Sequence, residues 1–162
     1  MKIGIMSDSH DHLPNVRRAL EIFKAEGCEK ILHAGDIVSP FVFGPFKEFK
    51  IPLIAVFGNN DGEVIMLSKV AAAYGEIRKG PVELELGGRR IALMHEPVLI
   101  DALRKSGAFD LIVYGHTHNA VLESNGPLVI NPGECCGYLG NQPSVAVCDL
   151  EKMSAKLVKL EA

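Results

Sequence analysis

The reading of this chain turns on Lys2-Ile3-Gly4-Ile5-Met6-Ser7-Asp8-Ser9-His10. A short apolar run ends abruptly in Asp8 and His10, and a helix-like stretch follows: Pro14 suits a first turn, Val16, Ala19, Leu20 and Phe23 recur at helical spacing, and Gly27 closes it. Asp8 and His10 are two apart, so extended backbone would turn their side chains to one side. One carboxylate and one imidazole aimed together beyond a strand end are a start on a divalent metal site. Alone the pair is weak evidence and reads first as a hydrogen-bonded loop, so the question passes to the rest of the chain.

The same arrangement recurs. Lys30 to His33 reads as a strand ending in Gly35-Asp36, and Leu53 to Phe57 as a strand ending in Gly58-Asn59-Asn60-Asp61-Gly62. Ile91 to Met94 ends at His95, and Leu111 to Tyr114 ends in Gly115-His116-Thr117-His118. Between these lie a short aromatic helix over Pro40 to Phe49, a helix over Val64 to Tyr74, and a helix around Leu99 and Leu103 opened by Pro97 and closed near Gly107. Val82, Leu84 and Leu86 alternate with glutamates before a Gly87-Gly88 turn, which predicts a hairpin with Ile91 to Met94. Val121-Leu122 and Leu128 to Ile130 are further short strands, and Ser144 to Leu150 with Ala155 to Leu160 predict a closing hairpin. Strand–helix–strand alternation at the front predicts a parallel sheet, whose ligands belong beyond the carboxyl ends of the strands. The hairpin-rich back half makes the whole a mixed α/β fold, a four-layer α/β/β/α sandwich of two mixed sheets packed face to face with helices outside.

Size and composition agree with one domain over residues 1–162, 48% hydrophobic and 23% charged. A net charge of −3 with no basic stripe argues against general nucleic-acid binding, and no apolar run is long enough to span a membrane. With no signal peptide visible, the expected location is the cytoplasm. Cys28, Cys135, Cys136 and Cys148 lack the Cys-x-x-Cys spacing of a zinc site and read as reduced, buried thiols.

Asp8-x-His10, Gly35-Asp36, Gly58-Asn59-x-Asp61, a strand-end His95 and Gly115-His116-x-His118 stand in the signature order of the calcineurin-like metallophosphoesterases. The chain resembles that family from residue 3 to about residue 134, and Gly58 to Glu63 and Asn131 to Tyr138 look most like its compact archaeal and bacterial phosphodiesterase branch. The resemblance implies two divalent ions of manganese, nickel, iron or zinc. Asp8, His10, Asp36 and His118 would hold one; Asp36, Asn59, His95 and His116 would hold the other, with Asp36 bridging. It implies hydrolysis of a small phosphodiester by a metal-bridging hydroxide, with Asp36, Asn60 and His95 at the reacting centre. A homodimer or higher oligomer is compatible with it. So are two other readings. One is a scaffold of the same fold, like the retromer subunit, docking through residues such as Phe41, Phe43, Phe46, Phe49, Tyr138 and Leu139. The other is a metal-dependent nuclease.

The chain departs from the family pattern at three places. Asn60 stands where many relatives carry His, and an amide cannot serve as a general acid near neutral pH. Met94-His95-Glu96-Pro97 replaces the usual His-Gly, which puts a carboxylate near an anionic substrate. Glu134 stands where many relatives have Ser, placed either to receive a hydrogen bond from a ligating histidine or to cap a turn. His12 and His33 are open between supporting the site and ordinary local hydrogen bonding.

Overall fold

In the computed structural model, which describes residues 1–140 and 142–160, two β-sheets pack face to face. Positions 141, 161 and 162 of the expected 1–162 domain lie outside the described residues. The first sheet contains β1 (Lys2–Met6), β2 (Lys30–His33), β3 (Leu53–Val56), β4 (Gly75–Arg78), β10 (Ser144–Asp149) and β11 (Ser154–Lys159), in the order β11-β10-β1-β2-β3-β4. The second contains β5 (Val82–Leu86), β6 (Arg89–Leu93), β7 (Leu111–Val113), β8 (Val121–Glu123) and β9 (Leu128–Asn131), in the order β5-β6-β7-β9-β8. β1 to β4 run parallel, as do β6, β7 and β9, so both parallel sets finish at one end of the molecule.

Strand alternation builds the layers. Ile3, Ile5, Leu32, Ile54 and Val56 face inward and meet Ile91, Leu93, Leu111, Val113 and Ile130 of the second sheet. The opposite face of the first sheet, with Met6, Ile31, Leu53 and Ala55, is covered by α1 (Leu13–Ala25) through Val16, Ala19, Leu20 and Phe23. A 3-10 turn at Pro40–Phe43, α2 (Phe46–Phe49) and α3 (Val64–Ala71) complete that layer. On the far side, Ile100 and Leu103 of α4 (Ile100–Ser106) rest on Ala92, Met94, Ile112 and Val129. This is the expected α/β/β/α sandwich. Gly4 is part of its construction, because a Cβ there would stand 2.5 Å from Cγ of Phe23 and would push α1 off the sheet.

Several local expectations are corrected. Asp8 and His10 do not share a side through extended backbone: β1 stops at Met6, and the two residues have φ of +52° and +38°. The Pro40–Phe49 stretch is two short pieces, broken at Gly44-Pro45. The helix expected to reach Tyr74 ends at Ala71, and Gly75–Arg78 is the edge strand β4. Its one apolar residue, Ile77, gives no alternation from which to read a strand. Pro97 does not open α4, which begins at Ile100 after Leu99 turns with φ +57°. Of the aromatic surface considered for docking, Phe43 and Phe46 are core, while Phe41, Tyr138 and Leu139 are exposed.

Candidate metal centre

Every parallel strand end delivers a polar loop to the same place. The loop after β1 is held on both flanks. Asp8 and His10 N–H groups donate to Gly35 O (2.9 Å) and Asp36 O (3.1 Å), and Cys135 and Cys136 N–H groups donate to Ser7 O (2.9 Å) and Asp8 O (3.0 Å). Asp61 ties the next two loops. Its carboxylate accepts from the N–H groups of Asp36 (3.1 Å), Val38 (2.6 Å) and Gly58 (2.7 Å). This clamp, unassigned from sequence, accounts for the last residue of Gly58-Asn59-Asn60-Asp61. Gly35 and Gly58 are needed for room: a Cβ on Gly35 would lie 2.7 Å from His95 Nδ1, and one on Gly58 would run into the Asp36 carboxylate.

The loops pay in backbone strain. Asp8, His10, Asp36, His116 and His118 all have positive φ, between +38° and +64°. Left-handed backbone costs a residue with a Cβ on the order of 1 kcal/mol, least for Asp, Asn and His, and it collects at functional sites. Here it turns consecutive donors inward. Sequence periodicity carries no signal of it.

The donor atoms converge around Asp36. Its Oδ2 lies 3.5 Å from His10 Nε2 and 3.4 Å from His95 Nε2. On one side, His118 Nε2 is 3.3 Å and His10 Nε2 3.9 Å from Asp8 Oδ1. On the other, Asn59 Oδ1 is 2.9 Å from both His95 Nε2 and His116 Nδ1. The seven residues singled out as ligands, Asp8, His10, Asp36, Asn59, His95, His116 and His118, are thus brought together. Asn60 joins them differently. Its backbone N–H and one N–H of its side-chain amide donate to Asp36 Oδ1 (2.8 Å) and Oδ2 (2.7 Å), so it holds both oxygens of that carboxylate.

Outer contacts orient the rings. His95 Nδ1 is 2.7 Å from Ala34 O, which places the proton on Nδ1 and leaves Nε2 free to bind. Glu134 is buried and accepts from His118 Nδ1 (2.8 Å), from Leu139 N–H (3.0 Å) and from Gly140 N–H. It therefore does both things considered for it: it holds a histidine and closes a turn. His33 is buried, and its ring nitrogens are engaged outside the donor cluster. Gly35 N–H donates to its Nδ1 (3.2 Å), so its proton sits on Nε2, 3.0 Å from Ser9 Oγ. His12 caps α1 by accepting from Asn15 N–H (3.2 Å) and packs edge-on against Tyr138. Glu96 is exposed on the rim beside His95.

The electrostatics fit a cation. Burial pushes the Asp8 carboxyl above its ordinary range, only partly offset by Ser7, His95 and His118. Asp8 Oδ1 and His10 Nε2 are both buried atoms with no hydrogen-bond partner among the described residues. A buried acceptor pair left unsatisfied is costly unless a cation takes it up. Burial opposes the charge on Asp36 as well, but His95 and Asn60 beside it hold its carboxyl well below the usual range. Imidazole, carboxylate and amide oxygen are donors that divalent transition ions accept. The four cysteines are free and buried, as read from sequence.

Comparison with known proteins places this geometry. The family model for the calcineurin-like phosphoesterase superfamily domain matches residues 1–153. A phosphodiesterase of Methanocaldococcus jannaschii is 43% identical, aligned over 99% of this chain and 100% of its own. The phosphodiesterase YfcE of Escherichia coli is 30% identical, over 89% of this chain and 84% of its own. Among solved structures, an archaeal phosphodiesterase superposes with a TM-score of 0.92 at 42% identity, covering 99% of this chain and 100% of that one. Vacuolar protein sorting 29 of Cryptosporidium parvum, at 20% identity and a TM-score of 0.68 over 99% of this chain and 97% of its own, shares the fold. Among the described residues no helix is long and apolar enough to cross a membrane. With the family model spanning nearly the whole chain and a relative at this identity aligned end to end, the protein belongs to the calcineurin-like phosphoesterase superfamily.

Proposed function

We propose that the chain is a metal-dependent phosphodiesterase with two cation positions that share Asp36. The observation that supports this most is Asp36 Oδ2, which sits between His10 Nε2 at 3.5 Å and His95 Nε2 at 3.4 Å. Asp8, His10, Asp36 and His118 would hold one divalent ion, and Asp36, Asn59, His95 and His116 the other. The donor set suits manganese, iron, nickel or zinc. Such a pair supplies Lewis acidity and an activated water for in-line displacement at phosphorus.

The chain's own residues position and shield. Asn60 holds the shared carboxylate, Glu134 fixes the His118 ring, and the Ala34 carbonyl fixes that of His95. None of these gives a proton to a leaving oxygen. A positioned acid contributes typically about 10²–10⁴-fold, so esters with good leaving groups are the favoured substrates. Diesters of aryl type are cleaved and monoesters poorly.

The test is to strip the protein of metal, restore manganese, nickel or zinc, and follow bis(4-nitrophenyl) phosphate and 4-nitrophenyl phosphate. Metal-dependent cleavage of the diester, well above that of the monoester, is the expected result. Failure of every metal to restore hydrolysis overturns the reading. Single-stranded and duplex DNA in the same assay address the nuclease alternative.

A further inference from the structure

Asn59 and His95 line a cavity of about 290 Å³. Phe57, Met94, Pro81 and Val98 make it largely apolar, and Lys79 and Glu96 stand in its wall. A second cavity of about 240 Å³ adjoins it across Pro81, Met94 and Val98, which line both. Its further lining is apolar at Val82, Ala92, Leu99, Leu103 and Phe109, with the Glu83 carboxylate as its one charged group. Together they form a trough that starts at two of the candidate ligands and runs over the outer face of the second sheet, below α4. That helix buries none of its residues fully, and Val98 and Leu99 before it are 48% and 71% exposed.

We propose that this trough receives an uncharged, apolar ester group of the substrate while the phosphoryl group sits at the metal centre. The inference rests on the phosphodiesterase reading and adds the substrate class. Three features choose the occupant. The trough is continuous with Asn59 and His95, so whatever fills it is attached to the group bound there. Beyond the neck the walls are apolar apart from Glu83, whose carboxylate also disfavours an anionic occupant, and they offer a ring or alkyl group burial that it lacks in water. At the neck, Lys79 attracts the phosphoryl charge, whereas Glu96 disfavours a second anionic group entering deeper. The reaction leaves the group in place until the cleaved alcohol or phenol departs, so the trough sets KM more than kcat.

Calorimetric titration of the manganese-loaded protein with phenylphosphonate and with methylphosphonate tests this without turnover. Phenylphosphonate is expected to bind about tenfold tighter or better, the value of burying one aromatic ring. Val98→Trp, which fills the shared wall, and Leu99→Asp, which charges the outer chamber, should each erase most of that preference. Methylphosphonate affinity should stay unchanged in both, which also reports an intact fold. Equal binding of the two anions by the unmodified protein, or a preference that survives both substitutions, overturns the trough. Bis(4-nitrophenyl) phosphate turnover on the same preparations separates the two readings. Turnover without a phenyl preference removes the trough and leaves the phosphodiesterase standing. A phenyl preference erased by the variants, without turnover, keeps the pocket and removes the enzyme.

Discussion

Glu134 Oε2 lies 2.8 Å from Nδ1 of His118, while the opposite nitrogen of that ring faces Asp8 Oδ1 at 3.3 Å. Burial opposes charge on Glu134, but His118 and the Leu139 and Gly140 N–H groups hold its carboxyl below the ordinary range. An ionised carboxylate behind a ligating imidazole fixes the tautomer and makes the ring a stronger donor. Glu134→Gln should therefore weaken metal binding by about 10- to 100-fold, the usual effect of losing such an outer partner. Metal affinity measured by competition with a chelating dye checks this, and an unchanged affinity would show that Glu134 serves the turn alone.

The carboxylate on the rim acts in the other direction. Glu96 is exposed in the wall that also holds Lys79 and His95. Glu96→Gln removes one negative charge from the approach of an anionic diester. KM should fall about two- to tenfold at low salt and the gain should shrink as salt is added, because the charge acts through solvent. Steady-state kinetics at two ionic strengths decide it.

Gly4 offers a test of the packing. Alanine is a modest improvement on glycine for a strand, yet its methyl group would stand 2.5 Å from Cγ of the fully buried Phe23. Gly4→Ala is expected to destabilise by about 1–3 kcal/mol, the range for overpacking a core. Urea unfolding measures it. Gly4→Ala with Phe23→Leu should recover part of the loss, since the smaller side chain gives the methyl group space.

His33 makes the metal-free protein acid-sensitive. Burial, then the neighbouring His95, push its pKa down to about 3, and protonating Nδ1 would break the bond from Gly35 N–H. The unfolded chain takes up this proton near pH 6.5, the native one only near 3. Between those values the unfolded state binds more protons, so stability rises with pH and is lost as pH falls. This single group contributes a slope of up to about 1.4 kcal/mol per pH unit. Denaturant midpoints from pH 7 to pH 4 should fall less steeply for His33→Gln than for the unmodified protein.

The gathering of the candidate ligands was legible because each follows an apolar strand, and in a parallel sheet the carboxyl ends coincide. That placement picks out Asp8, Asp36, Asn59, His95 and His116, while their division between two cations came from the resemblance to the family. What the residues do between strand and ligand was not legible. The positive φ at Asp8, His10 and Asp36 goes with loop-to-loop hydrogen bonds, such as His10 N–H to Asp36 O, between segments far apart in sequence. Asp61 had no role of its own in the sequence, and Glu134 stood open between a histidine partner and a turn cap, because their partners are backbone groups and a ring that only tertiary folding brings to them. β4 was missed for a similar reason. Gly75–Arg78 is a strand because β3 offers it an edge, and its own pattern shows one apolar residue.

The account stands on Asp36 serving two cations at once. Manganese should be titrated into metal-free protein while bound metal and bis(4-nitrophenyl) phosphate hydrolysis are followed together, for the unmodified chain and for Asp36→Asn. The unmodified chain should bind two ions and reach full activity only as the second binds, whereas Asp36→Asn should lose at least one ion and nearly all activity. Full activity at one bound ion, or Asp36→Asn that keeps both ions and full turnover, would contradict it.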